Sequence, residues 1–318
     1  MTTRRPKIAS VTTLKAPVDQ VLQFAAYHHH LGLDEIILFF DDPEDSAIDA
    51  VKSKPGVTAI PCDDEHWHQV RDPRPEFVQH RQLANVNWVL RERRHDLDWL
   101  IHIDSDELIY APDGLKESVA VEDDGLSVLR LRPLEAIPPS PDMSDPFLEV
   151  RWFKQHDPKD PEPKLRAKRW GVASGFQGKR FLRGYSSGKI AVKLDGVVSR
   201  VLLHQPTIYD EQEMRSVTSS RLWVLHYDAG SFDQWYDKWH DRSGFAESGF
   251  RGNRMKHLKK FRKLDRAGDT AGLKKMYRDS HMLPKWQLPI LRRLGLVRRI
   301  KLPKKNFRWE VNPGETSG

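Results

Sequence analysis

Short apolar stretches separated by helix-like stretches make up the first hundred residues of the chain. Those with the length and composition of buried strands are residues 7–14, 35–40, 56–61 and 98–103. Those with the character of helices run from Pro17 to near Gly32, over 46–52, and over the arginine-rich 76–95. This alternation predicts an α/β fold with a mostly parallel central sheet flanked by helices, as in nucleotide-binding proteins. Ligands of such sheets bind outside the carboxyl ends of the strands.

The pattern changes after Gly125. Alternating residues predict a strand over 127–134, and a Pro- and Asp-rich composition predicts a long loop over 133–163. Residues 179–208 predict short strands and turns, and from about residue 211 we expect helix to the end of the chain.

Charge is distributed unevenly along the chain. The net charge is +7, but residues 1–160 hold 18 basic against 30 acidic residues, and residues 161–318 hold 34 against 15. From residue 251 onward there are 20 basic and 5 acidic residues. The front half therefore suits a metal or another cation, and the back half suits an anionic partner, with a solvated surface as the alternative.

Composition also excludes some classes of protein. The one cysteine, Cys62, excludes an intramolecular disulfide and a zinc site built from cysteines, and it favours a reducing compartment. No apolar stretch has the length of a membrane span. The first 17 residues have no apolar core of a secretory signal, so we expect a cytoplasmic protein.

The segment DWLIHIDSDELIY, residues 98–110, carries the strongest candidate chemistry. An apolar strand leads into Asp104, Asp106 and Glu107. Alternate side chains of a strand share a face, so Asp104 and Asp106 can reach one site. Carboxylate oxygens suit Mg²⁺ or Mn²⁺, and such an ion neutralises a diphosphate leaving group. An acidic turn exposed to solvent is the alternative interpretation.

Three stretches resemble bacterial family-2-like glycosyltransferases of the GT-A fold. They are residues 11–47, with Tyr-His, Leu-Gly-x-Asp and an acidic strand end; residues 81–109, with Arg-Gln, Asp-Trp and Asp-x-Asp-Glu; and residues 224–239, with His-Tyr, Trp and Lys. Their order and spacing match the family and together are more specific than any one motif. The resemblance implies a GT-A glycosyltransferase domain over 1–245, with a nucleotide-sugar half at 1–125 and an acceptor and metal half at 126–245. A basic helical extension follows over 246–318.

The resemblance also implies roles for individual residues. Asp104 and Asp106 are expected to hold Mn²⁺ or Mg²⁺ on the diphosphate of the donor, with His226 as a third protein ligand. Asp41 and Asp42 are expected near the nucleobase and ribose, and Lys15 and Arg81 near the nucleotide or its diphosphate. The whole predicted donor-binding set is Thr13, Lys15, Asp41, Asp42, Arg81, Ser105 and Lys189.

Two other groups of residues have less specific patterns. The acceptor hydroxyl needs a base, for which Glu107 and Asp195 are the candidates. The consecutive His28, His29 and His30 point about 100° apart on a helix, so they cannot chelate one ion and are interpreted as structural.

The predicted function is metal-dependent transfer of a sugar, with inversion, from a nucleoside diphosphate sugar, UDP-linked, to a hydroxyl of a polysaccharide or glycolipid. Nucleotidyl or phosphoryl transfer is the alternative, because it also uses paired carboxylates and a metal. A nucleic-acid-binding protein is a third hypothesis, but no nucleic-acid motif is present and no nucleic-acid partner is expected. Residues 286–305 combine leucines with arginine pairs, so this basic region either contacts the inner face of a membrane peripherally or packs on the domain.

Overall fold

The structure is a computed structural model. It describes residues 5–156, 160, 162–176, 181–184, 186–202, 205–208, 213–228, 230–244 and 253–309. The chain forms two compact units. Unit 1 comprises residues 1–133, 187–225 and 303–318, and unit 2 comprises residues 134–186 and 226–302.

Unit 1 is built on a sheet whose central strands are parallel. The strands of this sheet within unit 1 are β1 (Ile8–Leu14), β2 (Glu35–Phe40), β3 (Val57–Pro61), β4 (Trp99–His102), β5 (Glu107–Tyr110), the first part of β6 (Val128–Ile137), β8 (Lys189–Lys193) and β11 (Ser216–His226). A separate antiparallel pair consists of β9 (Val198–Val201) and β10 (Pro206–Ile208). β1 pairs in parallel with β2 and β4, and β2 pairs in parallel with β3. β8 lies antiparallel between β4 and β6. The predicted α/β class with parallel strands is confirmed.

Helices connect the parallel strands, as the sequence pattern predicts. Those of unit 1 are α1 (Val18–Leu31), α2 (Ala47–Val51), α3 (Asp64–Val70), α4 (Val78–Glu92) and α5 (Leu115–Glu122). α1 ends at Gly32, which has a left-handed φ of 98° that residues with a Cβ rarely adopt. The core beneath the sheet includes Val11, Phe39, Val86 and Leu100.

His28, the first residue of the histidine triplet on α1, is part of the core. His28 is fully buried, and its Nδ1 lies 2.9 Å from the Phe24 carbonyl oxygen. Its Nε2 accepts from the backbone N–H of Ile109 at 3.2 Å. Burial lowers the pKa of His28 to about 3, so the ring is neutral. Both of its nitrogens are engaged in hydrogen bonds within the fold.

Unit 2 combines a small antiparallel sheet with helices. Its elements are the end of β6, α6 (Pro146–Glu149), β7 (Trp152–Lys154), α7 (Pro163–Arg169), α8 (Phe232–Ser243), α9 (Asn253–Arg266), α10 (Thr270–His281), α11 (Gln287–Arg293) and β12 (Val297–Arg299). β7 pairs with β6 on one side and with β12 on the other. Trp235 and Trp239 of α8 pack with Phe261 of α9 and Tyr277 of α10.

The second half of the chain departs from the sequence prediction in three places. The stretch expected as a loop contains α6 and β7, and the stretch expected to be helical contains the eleven-residue strand β11. β12 interrupts the helical extension. The helical content of that extension is otherwise confirmed by α9, α10 and α11.

Candidate functional site

The carboxyl ends of three parallel strands in unit 1 are joined by one helix, α4. Arg81 binds Asp41 just after β2, Gln82 binds Asp104 just after β4, and Asn85 binds Thr13 near the end of β1. Residues 81, 82 and 85 share one side of a helix, because side chains four positions apart lie above one another. α4 therefore fixes the positions of three candidate site residues relative to one another.

Asp41 and Arg81 form a two-pronged ion pair. Arg81 donates from Nε to Asp41 Oδ1 at 2.6 Å and from Nη2 to Oδ2 at 2.8 Å. Its Nη1 donates to the carbonyl oxygens of Pro75 and Glu76 at 3.0 and 2.6 Å. Both side chains are 14% exposed. These four bonds engage most of the five guanidinium donors, so Arg81 holds Asp41 and the 75–76 backbone in place.

The half-buried Asp104 forms an ionic cluster with the buried Glu107 and Lys189. The Lys189 ammonium lies 2.8 Å from Asp104 Oδ2 and 3.3 Å from Glu107 Oε2. Glu107 Oε2 also accepts from the backbone N–H of Asp104 at 2.8 Å. Burial lowers the pKa of Lys189, but the two carboxylates outweigh it and hold that pKa above its usual value. Lys189 is therefore a fixed positive charge beside the Asp104 carboxylate.

Gly188 is what allows Lys189 to reach this position. Its φ is +72°, and a Cβ added to it would lie 2.0 Å from the carbonyl oxygen of Leu131. Only glycine fits both the backbone angle and the close approach of the two strands. Gly188 thus directly precedes strand β8, whose first residue, Lys189, carries the buried ammonium.

The metal-ligand candidate Asp106 and the donor-binding candidates Ser105, Lys15 and Asp42 lie at the rim of the strand ends. Asp106 and Ser105 are half-buried in the turn after β4, where the Ser105 carbonyl accepts from Gln20 at 3.1 Å. Lys15, 73% exposed at its side chain, lies 3.5 Å from Asp42. These groups are accessible to a ligand, whereas Asp41, Arg81 and Lys189 are largely enclosed.

A buried hydrogen-bond chain sets the direction of the Thr13 hydroxyl. Asn85 donates through Nδ2 to Thr13 Oγ1 at 2.9 Å, and its Oδ1 lies 2.9 Å from His66 Nε2. An amide oxygen only accepts, so His66 carries its proton on Nε2. Burial lowers the pKa of His66, which keeps the ring neutral near pH 7. The chain runs His66 to Asn85 to Thr13 and leaves the Thr13 proton to donate onward.

His226, the third predicted metal ligand, is described within unit 2. It is buried, and a Cβ added to Gly184 would lie 2.8 Å from its ring. A nitrogen of His226 and a carboxylate oxygen of Asp228 lie within 4.8 Å of each other. Burial raises the pKa of Asp228, but Lys238, 2.5 Å away, and His226 outweigh burial and hold that pKa well below its usual range. This carboxylate is ionised beside the imidazole.

Asp195, one of the two predicted bases, does not lie with the other candidates. It follows β8 at the end away from Lys189, where it accepts from the backbone N–H of Val197 at 3.0 Å. There the Leu194 N–H binds the carbonyl of Asp98, which precedes β4. Asp195 is thus at the amino ends of the parallel strands, and the other unit 1 candidates are at the carboxyl ends.

Sequence reasoning missed Gln82, Asn85 and Asp228. Gln82 and Asn85 sit one and four positions after Arg81 on a predicted helix, and that spacing was the available signal. Asp228 follows His226 in the order His-Tyr-Asp, which a search for mixed nitrogen and oxygen ligands would have found.

No protein-family model and no curated protein match this chain. Solved structures with a similar arrangement include HddC from Yersinia pseudotuberculosis, at 11% identity and a TM-score of 0.34, over 73% of this chain and 97% of that one. Core-mannan synthase A (CmsA/Ktr4) from Aspergillus fumigatus, in a Mn/GDP form, is 14% identical at a TM-score of 0.29, over 61% of each chain. TarS 1–349 from S. aureus is 8% identical at a TM-score of 0.36, over 80% of this chain and 70% of that one.

Proposed function

We propose that this chain is a metal-dependent glycosyltransferase. It takes a nucleoside diphosphate sugar, UDP-linked, as donor and a hydroxyl of a polysaccharide or glycolipid as acceptor, and it transfers the sugar with inversion in the cytoplasm. The observation that carries the proposal is the set of polar side chains that α4 holds at the carboxyl ends of β1, β2 and β4. That edge is where parallel α/β sheets bind nucleotides.

The acidic turn after β4 fits a divalent cation. Its carboxylates offer the hard oxygen ligands that Mn²⁺ and Mg²⁺ prefer. We propose that Asp104 and Asp106 both bind the cation, and Asp104 also accepts from Gln82 at 3.0 Å and from Lys189 at 2.8 Å. Bound there, the cation would neutralise charge on the diphosphate leaving group. His226 keeps its predicted role as a ligand, to be tested by its own variant.

The other residues divide into ligand-contacting and positioning groups. Thr13, Lys15 and Asp42 are proposed to contact the donor, since the first has a hydroxyl proton to donate and the other two are accessible. Asp41, held by Arg81, is proposed to accept from the nucleoside. Glu107 is proposed to position Lys189 and the Asp104 backbone, because its Oε2 contacts both.

The test is stabilisation of the protein by donor and metal together. Wild type, Asp106→Ala, His226→Ala and the control Asp113→Ala are screened by thermal shift with UDP-sugars, with and without Mn²⁺. Asp113 is a suitable control because it is an acidic residue just beyond β5 that pairs with Arg221 at 3.1 Å. We expect Mn²⁺-dependent stabilisation of wild type and Asp113→Ala that is lost in Asp106→Ala.

Two results would overturn the proposal. Either no UDP-sugar stabilises the wild type in Mn²⁺, or Asp106→Ala responds as the wild type does. Product analysis then separates the two enzyme classes. Release of nucleoside diphosphate supports glycosyl transfer, and release of pyrophosphate would assign the chain to nucleotidyl transfer.

A further inference from the structure

Unit 2 exposes tryptophans at the ends of two helices that pack together. Trp170 ends α7 and is 63% exposed, and Trp286 precedes α11 and is 60% exposed. Leu165 of α7 is 41% exposed. These three are all of the exposed large apolar side chains in the described part of unit 2. Exposure of two such rings to water is unfavourable, so their presence on one pair of packed helices indicates a binding surface.

The two helices are joined side by side. Gln287, next to Trp286, exchanges hydrogen bonds with Ser174 at 2.9 and 3.0 Å. Ala167 of α7 and the α11 leucines Leu288 and Leu291 are buried in one cluster. The apolar faces of both helices are thus covered, and what remains outside is the tryptophans and their charged neighbours.

Those charged neighbours are all basic except one. Residues 162–170 and 284–294 contain a single acidic residue, Glu162. We call the exposed basic and large apolar residues of these two stretches the tryptophan surface: Lys164, Leu165, Arg166, Lys168, Arg169, Trp170, Lys285, Trp286, Arg292 and Arg293. It combines aromatic rings with a single sign of charge.

We propose that the tryptophan surface docks unit 2 on an anionic lipid membrane. Tryptophan favours the boundary between headgroups and acyl chains, and Lys and Arg bind anionic headgroups. None of the described helices is long and apolar enough to cross a bilayer, so the contact is peripheral. The leucines of α11, which produced the amphipathic pattern of the tail sequence, are buried in the protein. The membrane contact is therefore made by the exposed side chains around them.

A carbohydrate is the less suitable occupant. Sugar hydroxyls need hydrogen-bond acceptors as well as donors, and ammonium and guanidinium groups only donate. The exposed Leu165 has no stacking function for a sugar, but it suits an acyl chain. A second basic face of unit 2, on α9, carries exposed Lys260 and Lys263 but no exposed large apolar side chain. That face is the matched control for charge alone.

Co-sedimentation with vesicles tests the proposal on the full chain. Vesicles of phosphatidylcholine and phosphatidylglycerol at about 2:1 are compared with phosphatidylcholine alone. We expect binding to the anionic vesicles, weakened about tenfold in Trp170→Ala/Trp286→Ala. Lys285→Glu/Arg292→Glu should lower it by at least about 25-fold, because the loss of each positive charge costs about fivefold and the new carboxylates add repulsion. The controls Lys260→Glu/Lys263→Glu and Phe77→Ala, an exposed ring of unit 1, should bind nearly as the wild type does.

Three outcomes would overturn the proposal. The wild type fails to bind anionic vesicles, the α9 variant loses as much binding as Lys285→Glu/Arg292→Glu, or an acidic polysaccharide binds the surface while vesicles do not. Circular dichroism of each variant confirms that it is folded, and the charge variants decide the question if the tryptophan variant is not. None of these measurements requires sugar transfer, so failure here leaves the proposed function untouched.

Discussion

Replacing Lys189 with methionine should destabilise unit 1 far more than replacing a lysine four residues away. The Lys189 side chain is 3% exposed and lies between Asp104 and Glu107, which are 33% and 0% exposed. Methionine keeps the length of the apolar stem but leaves Glu107 buried beside a second carboxylate. Removing one partner of a buried ion pair costs about 3–5 kcal/mol. Asp104 can turn to solvent, so most of the loss comes from Glu107.

The matched control is Lys193→Met on the same strand. Lys193 pairs with Asp123 at 2.7 Å, with side chains 28% and 23% exposed, and such a pair contributes about 0.2–1 kcal/mol. Urea unfolding of wild type and both variants gives the two losses from the shift in midpoint, provided that the slopes agree. The double variant Lys189→Met/Glu107→Gln should recover about 1–3 kcal/mol, because the unpaired charge is gone.

The reasoning is refuted if Lys189→Met costs no more than Lys193→Met, or if Glu107→Gln brings no recovery. A second readout connects the cluster to metal binding. Without the ammonium, Asp104 loses a neighbouring positive charge and should attract a cation more strongly, so Mn²⁺ should stabilise Lys189→Met more than it stabilises the wild type.

Three other predictions concern the backbone, pH and the donor site. Gly188→Ala should cost about 3 kcal/mol or more in urea unfolding, because its φ is +72° and the new Cβ would meet the Leu131 carbonyl at 2.0 Å. The folded-state pKa of His28, about 3, lies below its ordinary 6.5, so the unfolded chain binds the extra proton and stability should fall as pH drops from about 6.5 towards 3. In the His28→Gln variant, the slope of the free energy of unfolding against pH should decrease by about 1.4 kcal/mol per pH unit. An unchanged slope would exclude His28 as its source. Arg81→Lys should weaken donor binding in calorimetry several-fold while the fold survives, because lysine cannot hold both oxygens of Asp41 as the guanidinium does; affinity equal to wild type would contradict the positioning role.

Most elements of the first hundred residues could be predicted because their signals are local, although α3 was not predicted. Each buried strand is a short apolar stretch, and Gly32 ends α1 as expected. β11 was missed because it begins with the exposed residues 216–218 and is specified by pairing with distant strands. No local pattern distinguishes such a strand from a polar connection.

The candidate site divides in the same way. That Asp104 and Asp106 follow a buried strand was readable, since it depends on neighbouring residues. That Arg81 is occupied by Asp41 and two carbonyls was not, because its partners lie up to 40 positions away. The sequence shows that a charge is present, but only tertiary contacts show which of its donors are already in use.

The three α4 side chains have a consequence for changing what this protein accepts. Through Arg81, Gln82 and Asn85, helix α4 acts as a rigid scaffold that fixes the spacing of three strand ends. It does so independently of the loops that follow those strands. Loop sequences can therefore be varied in a library while the three α4 side chains are kept constant. A single-residue insertion within α4 before position 81, by contrast, would rotate these three side chains by about 100° about the helix axis and break all three contacts at once. Directed evolution of specificity should leave α4 alone and search the turns.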